Sequence, residues 1–574
     1  MENADISKVL NEIADILEIQ DENPFRIRAY RNAALTVENL SERLVKIVER
    51  DPKELRQLSG IGEDLAAKIV EAVTTGEIAF HEKLLTRIPH TLLDLIRIQG
   101  IGPKKAKLFY KKLKVKSIED LEEAARKGKI QDLPGMGEKS EQKILQAIAD
   151  FRNREPKRFP LFRVLPCVEV LVDYLKNGFE GIKVTPAGSV RRRKETLGDI
   201  DILIAGGDPA EIMDHFISYK EVKEILSKGG TKSSVVLNNG LQVDVRVVER
   251  GDYGSALHYF TGSKEHNVSI RDRAKRMGLK VSEYGVFREK TNRRIGGETE
   301  EEVFKAVGLP WIPPEMRENR GEIELAEKGE LPELIQLSDI QGDLHMHTRA
   351  SDGAHSIEEM ALVAKRVGRK YVAITDHSKA VTVARGLDEK RMLKHMKEID
   401  RVNEKMEGIE VLKGVEVDIL KGGSLDMEKE ILEKMDVVVG SVHSHFGMEE
   451  KEMTRRMIRA IETGLVDIVG HPTGRLLGER SAYAVDMERL MDMAKANGVA
   501  LELNACPNRL DLNDVYCKMA RDKGVWIVIS TDSHNTAQLE NLIYGVYTAR
   551  RGWLEKELVL NTRPYAELKK ILHR

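Results

Sequence analysis

Short apolar runs in the last part of the chain, after residue 338, each end in a residue able to bind a metal ion. Examples are YVAITDHS (371–378), VLKGVEVD (411–418) and VDIVGHP (466–472). In a barrel of parallel strands the strand ends meet at one rim, where such enzymes hold their chemistry. Six such endings in succession therefore predict one cluster of ligands: His345, His347, Asp352, His377, Glu416, His443, His471, Asp532 and His534.

The ligand types indicate the metal and the chemistry. Imidazole nitrogens with a few carboxylates suit Zn²⁺, Mn²⁺ or Fe²⁺ better than Ca²⁺. Two such ions about 3.5 to 4 Å apart hold a water as hydroxide and clamp a phosphoryl group. The alternative is that the histidines are scattered, but ten of the fifteen lie after residue 338. We expect His355, His395 and His573, which fall in helical or loop patterns, to be ordinary surface residues.

The middle of the chain carries a second group of carboxylates. Asp199 and Asp201 alternate on the apolar run DIDILIA, and Asp244 alternates with valines on LQVDVRVV. Alternation on a strand places such side chains on one face. Three carboxylates on one sheet repel one another unless cations neutralise them, and oxygen ligands beside phosphates suit two Mg²⁺ ions. An isolated Asp-x-Asp is usually a surface pair, so the third carboxylate carries the prediction of a two-metal site.

A loop before this strand is suited to phosphates. Gly188 and Ser189 permit the close approach of a triphosphate, and Arg191–Arg193 add positive charge beside them. A glycine-serine loop shortly before the first of three strand carboxylates predicts a nucleotidyltransferase.

Three related segments in the first 150 residues indicate binding to a nucleic-acid backbone. They are LSGIGEDLAAKI (58–69), IQGIGPKKAKLF (98–109) and LPGMGEKSEQKI (133–144). Each pair of glycines permits a tight turn that exposes backbone N–H groups at a helix N-terminus, which suits a phosphate. The second segment opens into a run of seven lysines that contains no acidic residue. This helix-hairpin-helix pattern predicts DNA binding through Gly60, Gly62, Gly100, Gly102, Lys104, Lys105, Gly135 and Gly137.

The composition predicts a globular protein of several domains. A chain of 574 residues suggests around four units of about 150 residues each. The net charge of −2 averages over these units and hides local basic patches. No apolar stretch approaches the roughly 20 residues of a membrane span, and the acidic N-terminus does not fit a secretory signal. The three widely spaced cysteines form no disulfide framework, so we expect a cytoplasmic monomer without a membrane partner.

The ligand pattern resembles the PHP phosphoesterase family over residues 338–574. The resemblance implies a distorted (β/α)₇ barrel with up to three Zn²⁺ or Mn²⁺ ions, and VALELNA (499–505) supplies a seventh strand without an obvious ligand. It implies one ion on His345, His347, Glu416 and Asp532. It implies a second ion on Glu416, His443 and His471, and a third on Asp352, His377 and His534. The implied reaction is a 3′→5′ exonuclease, with 3′-phosphatase and abasic-site (AP) endonuclease as further activities.

The run HYFTGSKEHNVSIRDRA (258–274) resembles the nucleotide pocket of the X-family DNA polymerases, and the likeness covers residues 1 to about 316. It implies gap-filling DNA synthesis in base excision repair, on gapped or primer-template DNA with deoxynucleoside triphosphates. Asp199, Asp201 and Asp244 would bind two Mg²⁺ ions, and Tyr259 and Phe260 would form a turn beside the sugar 2′ position. The implied nucleotide contacts are Gly188, Ser189, Arg192, Gly198, Tyr259, Phe260, Gly262, Asn267 and Arg271.

Two positions depart from polymerase β, a member of that family. Leu197 stands where polymerase β has a phosphate-contacting serine, and Gln242 stands where it has an arginine. Neither change removes a metal ligand. Both bear on triphosphate affinity and on the activation of Asp244, so fidelity stays open.

Lys68 stands where similar polymerases place the lysine that forms a Schiff base with a 5′-deoxyribose phosphate. That lyase chemistry needs a neutral amine. Asp64, four residues earlier, replaces a further lysine of polymerase β and lies beside Lys68 at helical spacing. Two alternatives therefore stay open: Lys68 is catalytic, or it lies on a DNA-binding helix face.

These observations predict a multidomain α+β and α/β chain. It would combine helical helix-hairpin-helix domains, a polymerase β-like nucleotidyltransferase palm and a C-terminal distorted (β/α)₇ PHP barrel. The predicted boundaries are 1–85 and 86–155 for the hairpin domains, 156–258 for the palm, 259–316 for the nucleotide pocket, 317–337 for a linker and 338–574 for the barrel. The alternative function is a non-DNA nucleotidyltransferase fused to a small-molecule phosphatase, which the hairpin repeats and the 258–274 run disfavour. A non-catalytic DNA-binding scaffold is disfavoured by the complete ligand sets.

Overall fold

The computed structural model describes residues 1, 3–38, 40, 44–86, 91–96, 98, 100–153 and 158–572. The chain divides into two compact units, Met1–Lys157 and Arg158–Arg574. Within the described ranges, no helix combines the length and the apolar character that a membrane crossing requires. His573, expected at the surface, lies outside the described residues.

The first unit is helical. In α1 the side chains of Ile6, Leu10, Ile13 and Leu17 recur at helical spacing on one face, and all are buried in a common core. The helices are α1 (Asn3–Ile19), α2 (Pro24–Glu38), α3 (Leu44–Arg50), α4 (Glu63–Thr75), α5 (Ala79–Leu85), α6 (Leu92–Ile96), α7 (Pro103–Leu113), α8 (Ile118–Arg126) and α9 (Glu138–Asn153).

The second unit begins with a mixed sheet. Its strands are β2 (Lys183–Pro186), β4 (Asp199–Ala205), β5 (Val222–Lys228), β6 (Lys232–Leu237) and β7 (Gln242–Val248), in the order β2-β4-β7-β6-β5. Strands β4 and β7 are parallel, and the other pairs are antiparallel. Three helices accompany the sheet, α10 (Leu161–Asn177), α11 (Gly188–Arg191) and α12 (Pro209–Ile217), with a short antiparallel pair β1 (Phe159–Pro160) and β3 (Thr196–Leu197).

A smaller region follows the mixed sheet. It contains α13 (Tyr253–Thr261), α14 (Lys264–Arg276), the antiparallel strands β8 (Leu279–Ser282), β9 (Gly285–Arg288) and β10 (Arg294–Gly296), and α15 (Glu300–Ala306). The stretch predicted as a linker includes α16 (Glu322–Lys328). Ile323 and Ala326 of this helix are buried in the core of the region. The segment is therefore packed rather than extended.

The C-terminal part is the predicted (β/α)₇ barrel. Its strands pair in parallel and in chain order: β11 (Gly342–Asp343), β12 (Tyr371–Ile374), β13 (Glu410–Asp418), β14 (Val437–Ser441), β15 (Ile468–Val469), β16 (Ala500–Asn504) and β17 (Ile527–Ser530). Helices cover the strands from outside, which explains their continuous apolar runs. They are α17 (Ile357–Arg366), α18 (Glu389–Asn403), α19 (Lys429–Leu432), α20 (Glu450–Glu462), α21 (Met487–Ala496), α22 (Asp514–Lys523), α23 (Leu542–Arg551) and α24 (Tyr565–Leu572).

The barrel closes between its first and last strands, just beyond their regular ends. The backbone N–H of Asp532 donates to the His345 carbonyl oxygen at 2.9 Å, and that of His347 donates to Ser533 at 2.8 Å. Met346 and Ser533 form a parallel bridge between these bonds. The closing seam, residues 345–347 and 532–533, thus contains three of the predicted ligands.

Trp553 joins the barrel to the preceding region. It follows α23, is 2% exposed, and packs in one apolar cluster with side chains such as Phe304, Met316 and Ile323. The indole is the largest fully buried side chain among the described residues. Burial of this size makes the two regions one packed body.

Trp553→Ala should destabilise the second unit, because it leaves a large cavity in this shared cluster. We expect the free energy of unfolding of that unit to fall by about 3–5 kcal/mol. Urea denaturation followed by circular dichroism measures it. The control Tyr284→Ala removes an aromatic that is 58% exposed and should shift the value by less than about 0.5 kcal/mol. Equal changes in the two variants would contradict the packing role.

Candidate active sites

Glu416, on β13, lies at the centre of the barrel cluster and is 1% exposed. Its two carboxylate oxygens lie 2.9–3.6 Å from ring nitrogens of His345, His347, His377, His443 and His471. These histidines follow four strands, because His345 and His347 both come after β11, and the parallel strands bring together side chains that are far apart in sequence. The structure places all five around one buried anion.

Asp352 and Asp532 add two further carboxylates to the cluster. Asp352 lies 3.3 Å from His534 and 3.5 Å from His377, and Asp532 lies 3.1 Å from His347. His471 and Asp532 have left-handed backbone at φ 27° and 53°, which is unusual for residues other than glycine. Such conformations occur preferentially at functional sites.

Three sets of side chains offer ligand atoms within 4.8 Å of one another. They are His347, Asp352, His377 and His534; His345, His347 and Asp532; and His377, Glu416 and His443. The first contains the predicted third ion set together with His347, and the second is the predicted first ion set without Glu416. His377 also contributes to the set around Glu416, while His471 contacts that carboxylate at 3.1 Å.

Alternation of charge stabilises the cluster. Burial alone would raise the pKa of Glu416, but the facing His377, His443 and His345 hold it well below its usual range. Burial would lower the pKa of His377 and His443, and Glu416 overcomes this and raises them to about 10 and about 9. Burial and the neighbouring His377 lower the pKa of His347 to about 4.

The donor set fits transition-metal cations. Imidazole nitrogens and carboxylate oxygens are the ligands that Zn²⁺ and Mn²⁺ take. Nε2 of His345 and Nδ1 of His347 are buried and make no hydrogen bond of normal geometry to a described residue, although they face Glu416 at 3.4 Å and Asp352 at 3.7 Å. A buried polar atom without a partner is costly, and a bound cation supplies one.

Glu502, on β16, orients this cluster and escaped the sequence analysis. It is fully buried, contacts Nδ1 of His345 at 2.7 Å and accepts from the backbone N–H of His471 at 2.6 Å. A carboxylate on the far nitrogen of a ligand histidine fixes the ring orientation. The available signal was the polar pair Glu502 and Asn504 on an otherwise apolar strand; Asn504 donates to Asp532 at 3.0 Å.

His395 corrects one expectation, because it is buried rather than at the surface. It is 4% exposed and contacts Asp376 at 2.9 Å. Asp376 also accepts from the backbone N–H and the hydroxyl of Thr348, in the loop between His347 and Asp352. His395 therefore supports the loop that carries a predicted ligand. His355 is partly exposed.

A cavity of about 270 Å³ opens onto the cluster. Arg509 lies on its wall, with Nε 3.6 Å from Asp532, and its Nη1 has no hydrogen-bond partner among the described residues. Val381 and the 95% exposed Val383 line the same cavity. The cavity thus offers a positive charge and an apolar edge beside the predicted metal ligands.

The mixed sheet brings the second group of carboxylates together. Asp201 and Asp244 are register partners on the parallel strands β4 and β7, and Asp199 lies two residues before Asp201 on the same face. Ile200 and Val243 are fully buried, as the alternation predicts. Lys232 approaches Asp244 at 3.4 Å. Among the described residues, sets of three ligand atoms within 4.8 Å occur only in the barrel.

Electrostatics at these carboxylates fit divalent cations. Burial and the neighbouring Asp199 and Asp244 raise the pKa of Asp201 to about 7. Burial and Asp244 likewise raise the pKa of Asp199. Clustered oxygens whose negative charges oppose one another are the environment that Mg²⁺ neutralises.

Gly188 lies against Asp201. Its backbone is left-handed at φ 56°, and a Cβ at this position would lie 2.1 Å from a carboxylate oxygen of Asp201. Only glycine fits both constraints. Ser189 follows on α11 and is partly exposed, while Gly198 lies exposed between β3 and β4.

The predicted phosphate-binding arginine is already paired. Arg192 is 9% exposed, donates through Nε to Glu318 at 2.9 Å and through Nη1 to the Thr261 carbonyl oxygen at 2.7 Å. Of the two departures from polymerase β, Leu197 is fully buried, and Gln242 donates to Asp244 at 3.2 Å.

The predicted nucleotide-pocket residues lie at the junction of α13 and α14. Tyr259 and Phe260 occupy the last turn of α13, and Gly262 ends that helix. Asn267, 8% exposed, donates to the carbonyl oxygens of Tyr259 at 2.6 Å and Gly262 at 3.2 Å. Arg271 is exposed on α14, one turn after Asn267. The expected turn beside the sugar is thus the end of a helix.

The three hairpin segments share one local geometry. Gly60, Gly100 and Gly135 are left-handed, with φ of 76°, 81° and 74°. Gly62 and Gly102 cap the starts of α4 and α7, and Gly137 precedes α9. Lys104 and Lys105 are exposed in the first turn of α7. These helix N-termini are exposed, and the binding of phosphates by their backbone N–H groups stays a prediction.

Lys68 lies on α4 and contacts Asp64 directly, as the helical spacing predicted. Its side chain is 13% exposed, and the amine lies 5.4 Å above the Phe80 ring. The Tyr30 hydroxyl, also on this face, has no hydrogen-bond partner among the described residues. The lysine is therefore sheltered and paired with a carboxylate.

Family models match four segments of the chain. Residues 1–78 match a helix-hairpin-helix domain and residues 92–150 a SAM-like helix-hairpin-helix tandem. Residues 256–318 match the DNA polymerase beta thumb, and residues 343–506 match the PHP domain.

Curated relatives fall into two groups. The DNA polymerase/3′-5′ exonuclease PolX of Bacillus subtilis (strain 168) is 40% identical over 576 residues, which covers 100% of both chains. Probable phosphatases of Thermoanaerobacter sp. (strain X514) and Acetivibrio thermocellus are 31% and 32% identical over 38% of this chain and about nine tenths of their own length. The identity over the full length, together with the thumb and PHP matches, establishes that the chain belongs to the X-family DNA polymerases that carry a C-terminal PHP domain.

Proposed function

We propose that this protein performs gap-filling DNA synthesis in base excision repair and removes nucleotides from 3′ ends with its barrel. Its partners are gapped or primer-template DNA and deoxynucleoside triphosphates, and it acts as a cytoplasmic monomer. The observation that carries the proposal is the in-register pairing of Asp201 with Asp244 beneath the Gly188 loop. The full-length relative from Bacillus subtilis supports both activities.

In the proposed polymerase site, Asp199, Asp201 and Asp244 hold two Mg²⁺ ions. When bound, these ions supply activation of the primer 3′-hydroxyl and charge neutralisation at the phosphates. Gln242 donates to Asp244 and fixes the rotation of its carboxylate. Gly188, Ser189, Arg192 and Gly198 would hold the triphosphate, and Tyr259, Phe260, Gly262, Asn267 and Arg271 would contact the sugar and the bases.

In the proposed hydrolase site, the nine barrel ligands hold up to three Zn²⁺ or Mn²⁺ ions. When bound, these ions supply an activated water and a clamp on the scissile phosphate. Glu502 keeps His345 oriented, and Arg509 offers positive charge to the phosphate from the cavity wall. The likeness of the barrel alone to probable phosphatases supports phosphoester hydrolysis. The 3′-phosphatase and AP endonuclease reactions are further parts of the proposal.

The hairpin segments are the proposed DNA-backbone contacts. Helix N-termini are exposed after Gly62, Gly102 and Gly137, and Lys104 and Lys105 lie beside the second. They suit the phosphates of the DNA backbone whatever the base sequence. This binding would weaken steeply with salt.

Asp244→Ala should reduce the rate of primer extension by about 10³-fold or more. It removes a ligand of the two-metal centre, whose ions would lower the activation free energy by several kcal/mol. Single-turnover extension on a gapped substrate measures it, and exonuclease activity should stay within about twofold of wild type. Asp214→Ala, an exposed residue paired with Lys228, is the matched control. Near-normal extension by Asp244→Ala would contradict the assignment of the polymerase site to these carboxylates.

His345→Ala or Asp532→Ala should abolish exonuclease activity in the presence of Mn²⁺ or Zn²⁺ without stopping synthesis. Each removes a predicted ligand, and the two are linked across the barrel seam. Degradation of a 5′-labelled single strand reports one activity, and extension of the same strand annealed to a template reports the other. Parallel loss of both activities would show that these residues maintain the fold instead.

Lys68 is proposed to bind a 5′-phosphate and, when its amine is neutral, to form a Schiff base with a 5′-deoxyribose phosphate. Borohydride trapping on an incised abasic substrate measures the covalent adduct. Because Asp64 pairs with the ammonium, Asp64→Asn should increase the trapped fraction, and Lys68→Ala should remove it. An adduct unchanged in Lys68→Ala, or none in any variant, contradicts the lyase role.

A further inference from the structure

Arg551, at the end of barrel helix α23, reaches the predicted triphosphate loop of the palm. It is 4% exposed, and its Nη1 donates to the backbone carbonyl oxygen of Arg192 at 2.8 Å. The same nitrogen donates to Glu318 at 3.0 Å, and Nη2 donates to Asp514 at 2.7 Å. A residue of the barrel thus contacts both the backbone and the ion-pair partner of Arg192.

Glu318 is shared between two arginines. Its Oε1 accepts from Nε of Arg192 at 2.9 Å and from Arg551 at 3.0 Å. Asp514, on the other side of Arg551, also pairs with Arg320 at 3.0 Å. Charges therefore alternate along a buried row from the palm into the barrel. Because Glu318 is shared with Arg551, it neutralises the field of Arg192 only in part. A positive field therefore remains at Arg192 for a phosphate.

Two further barrel residues hold the same loop. The Arg193 guanidinium lies 4.4 Å above the Tyr547 ring, on the same helix as Arg551. Arg475 pairs with both carboxylate oxygens of Glu195, at 3.2 and 2.6 Å, and also donates to the Leu510 carbonyl oxygen. Arg475 lies four residues after the predicted ligand His471.

These contacts fall on consecutive parts of one short loop. The loop begins at Gly188, which lies against Asp201, and leads into Asp199. Between these points the barrel contacts residues 192, 193 and 195. The placement of the Arg192 guanidinium therefore depends on residues of the barrel.

We propose that the barrel is a structural part of the polymerase nucleotide site, in which Arg551, Tyr547 and Arg475 are positioning residues that present Arg192 to the incoming triphosphate. The inference rests on the proposed role of Arg192. On this inference the polymerase site needs the barrel for nucleotide affinity, whether or not the barrel site hydrolyses a phosphoester.

The test uses the full chain with point substitutions and single-turnover incorporation of one nucleotide on a primer-template. Arg551→Ala should raise the dissociation constant of the nucleotide roughly tenfold, the scale of one hydrogen bond to a charged group. The maximum incorporation rate should change by less than about threefold, and Arg551→Lys should restore part of the affinity. Exonuclease activity of each variant reports the integrity of the barrel.

Two controls make the result specific. Arg550→Ala removes the neighbouring arginine of α23, which pairs with Glu315 at 2.8 Å and donates to the Ile335 carbonyl oxygen at 3.0 Å rather than to the loop, so nucleotide affinity should stay unchanged. Tyr547→Ala leaves no buried charge behind and should weaken nucleotide binding about threefold. It keeps the inference testable if Arg551→Ala fails to fold.

Nucleotide affinities in Arg551→Ala and Tyr547→Ala equal to that of Arg550→Ala would overturn the inference. The inference would also be overturned if Arg551→Ala lost exonuclease activity and thermal stability together while Tyr547→Ala kept the nucleotide affinity of the wild type. Arg192→Ala distinguishes a failure of the proposed role of Arg192 from a failure of the inference about the barrel. If it leaves nucleotide affinity unchanged, the proposed function of Arg192 fails; if it weakens binding while the barrel variants do not, only the inference fails.

Discussion

The buried carboxylate of Glu416 sets the constraint on which the barrel depends. An anion with 1% exposure is tolerated only when charge of the opposite sign surrounds it closely. The chain meets this requirement by ending separate strands in histidines that face Glu416, and by holding those rings with further buried carboxylates such as Glu502. The same arrangement that makes the anion tolerable prepares it for cations. Structure and chemistry therefore impose one requirement on these positions.

Much of both sites was predictable because the relevant patterns are local. An apolar run that ends in a histidine indicates a strand end, and alternation places Asp199 and Asp201 on one face of their strand and Asp244 on the face opposite its flanking valines. The pairing of β4 with β7 then brings the three carboxylates together. The glycine pairs of the hairpin segments are equally local, since a left-handed turn before a helix needs only two positions. The sequence contains seven strand candidates, and the family resemblance implied that they form a (β/α)₇ barrel.

Other features had no local signal. Arg551 and Arg192 are separated by 359 residues, and nothing near either residue indicates the partner. His395 lies in an ordinary helical pattern, and nothing in that pattern indicates the buried Asp376 that it contacts. The linker was predicted because a proline-rich stretch suits neither a helix nor a central strand, and that pattern does not indicate the packing of α16 in one cluster with Trp553. In each case tertiary packing decided the environment.

The seam of the barrel has a consequence for biosynthesis. His347 and Asp532, which meet there, are separated by 185 residues. At roughly 5–20 residues per second, a ribosome needs about 10–40 s to make the intervening stretch. Throughout that time the sheet has two unpaired edges, and such edges pair readily with other chains. Nascent barrels thus pass through an aggregation-prone stage whose length is fixed by topology, and a chaperone that shields strand edges would act there.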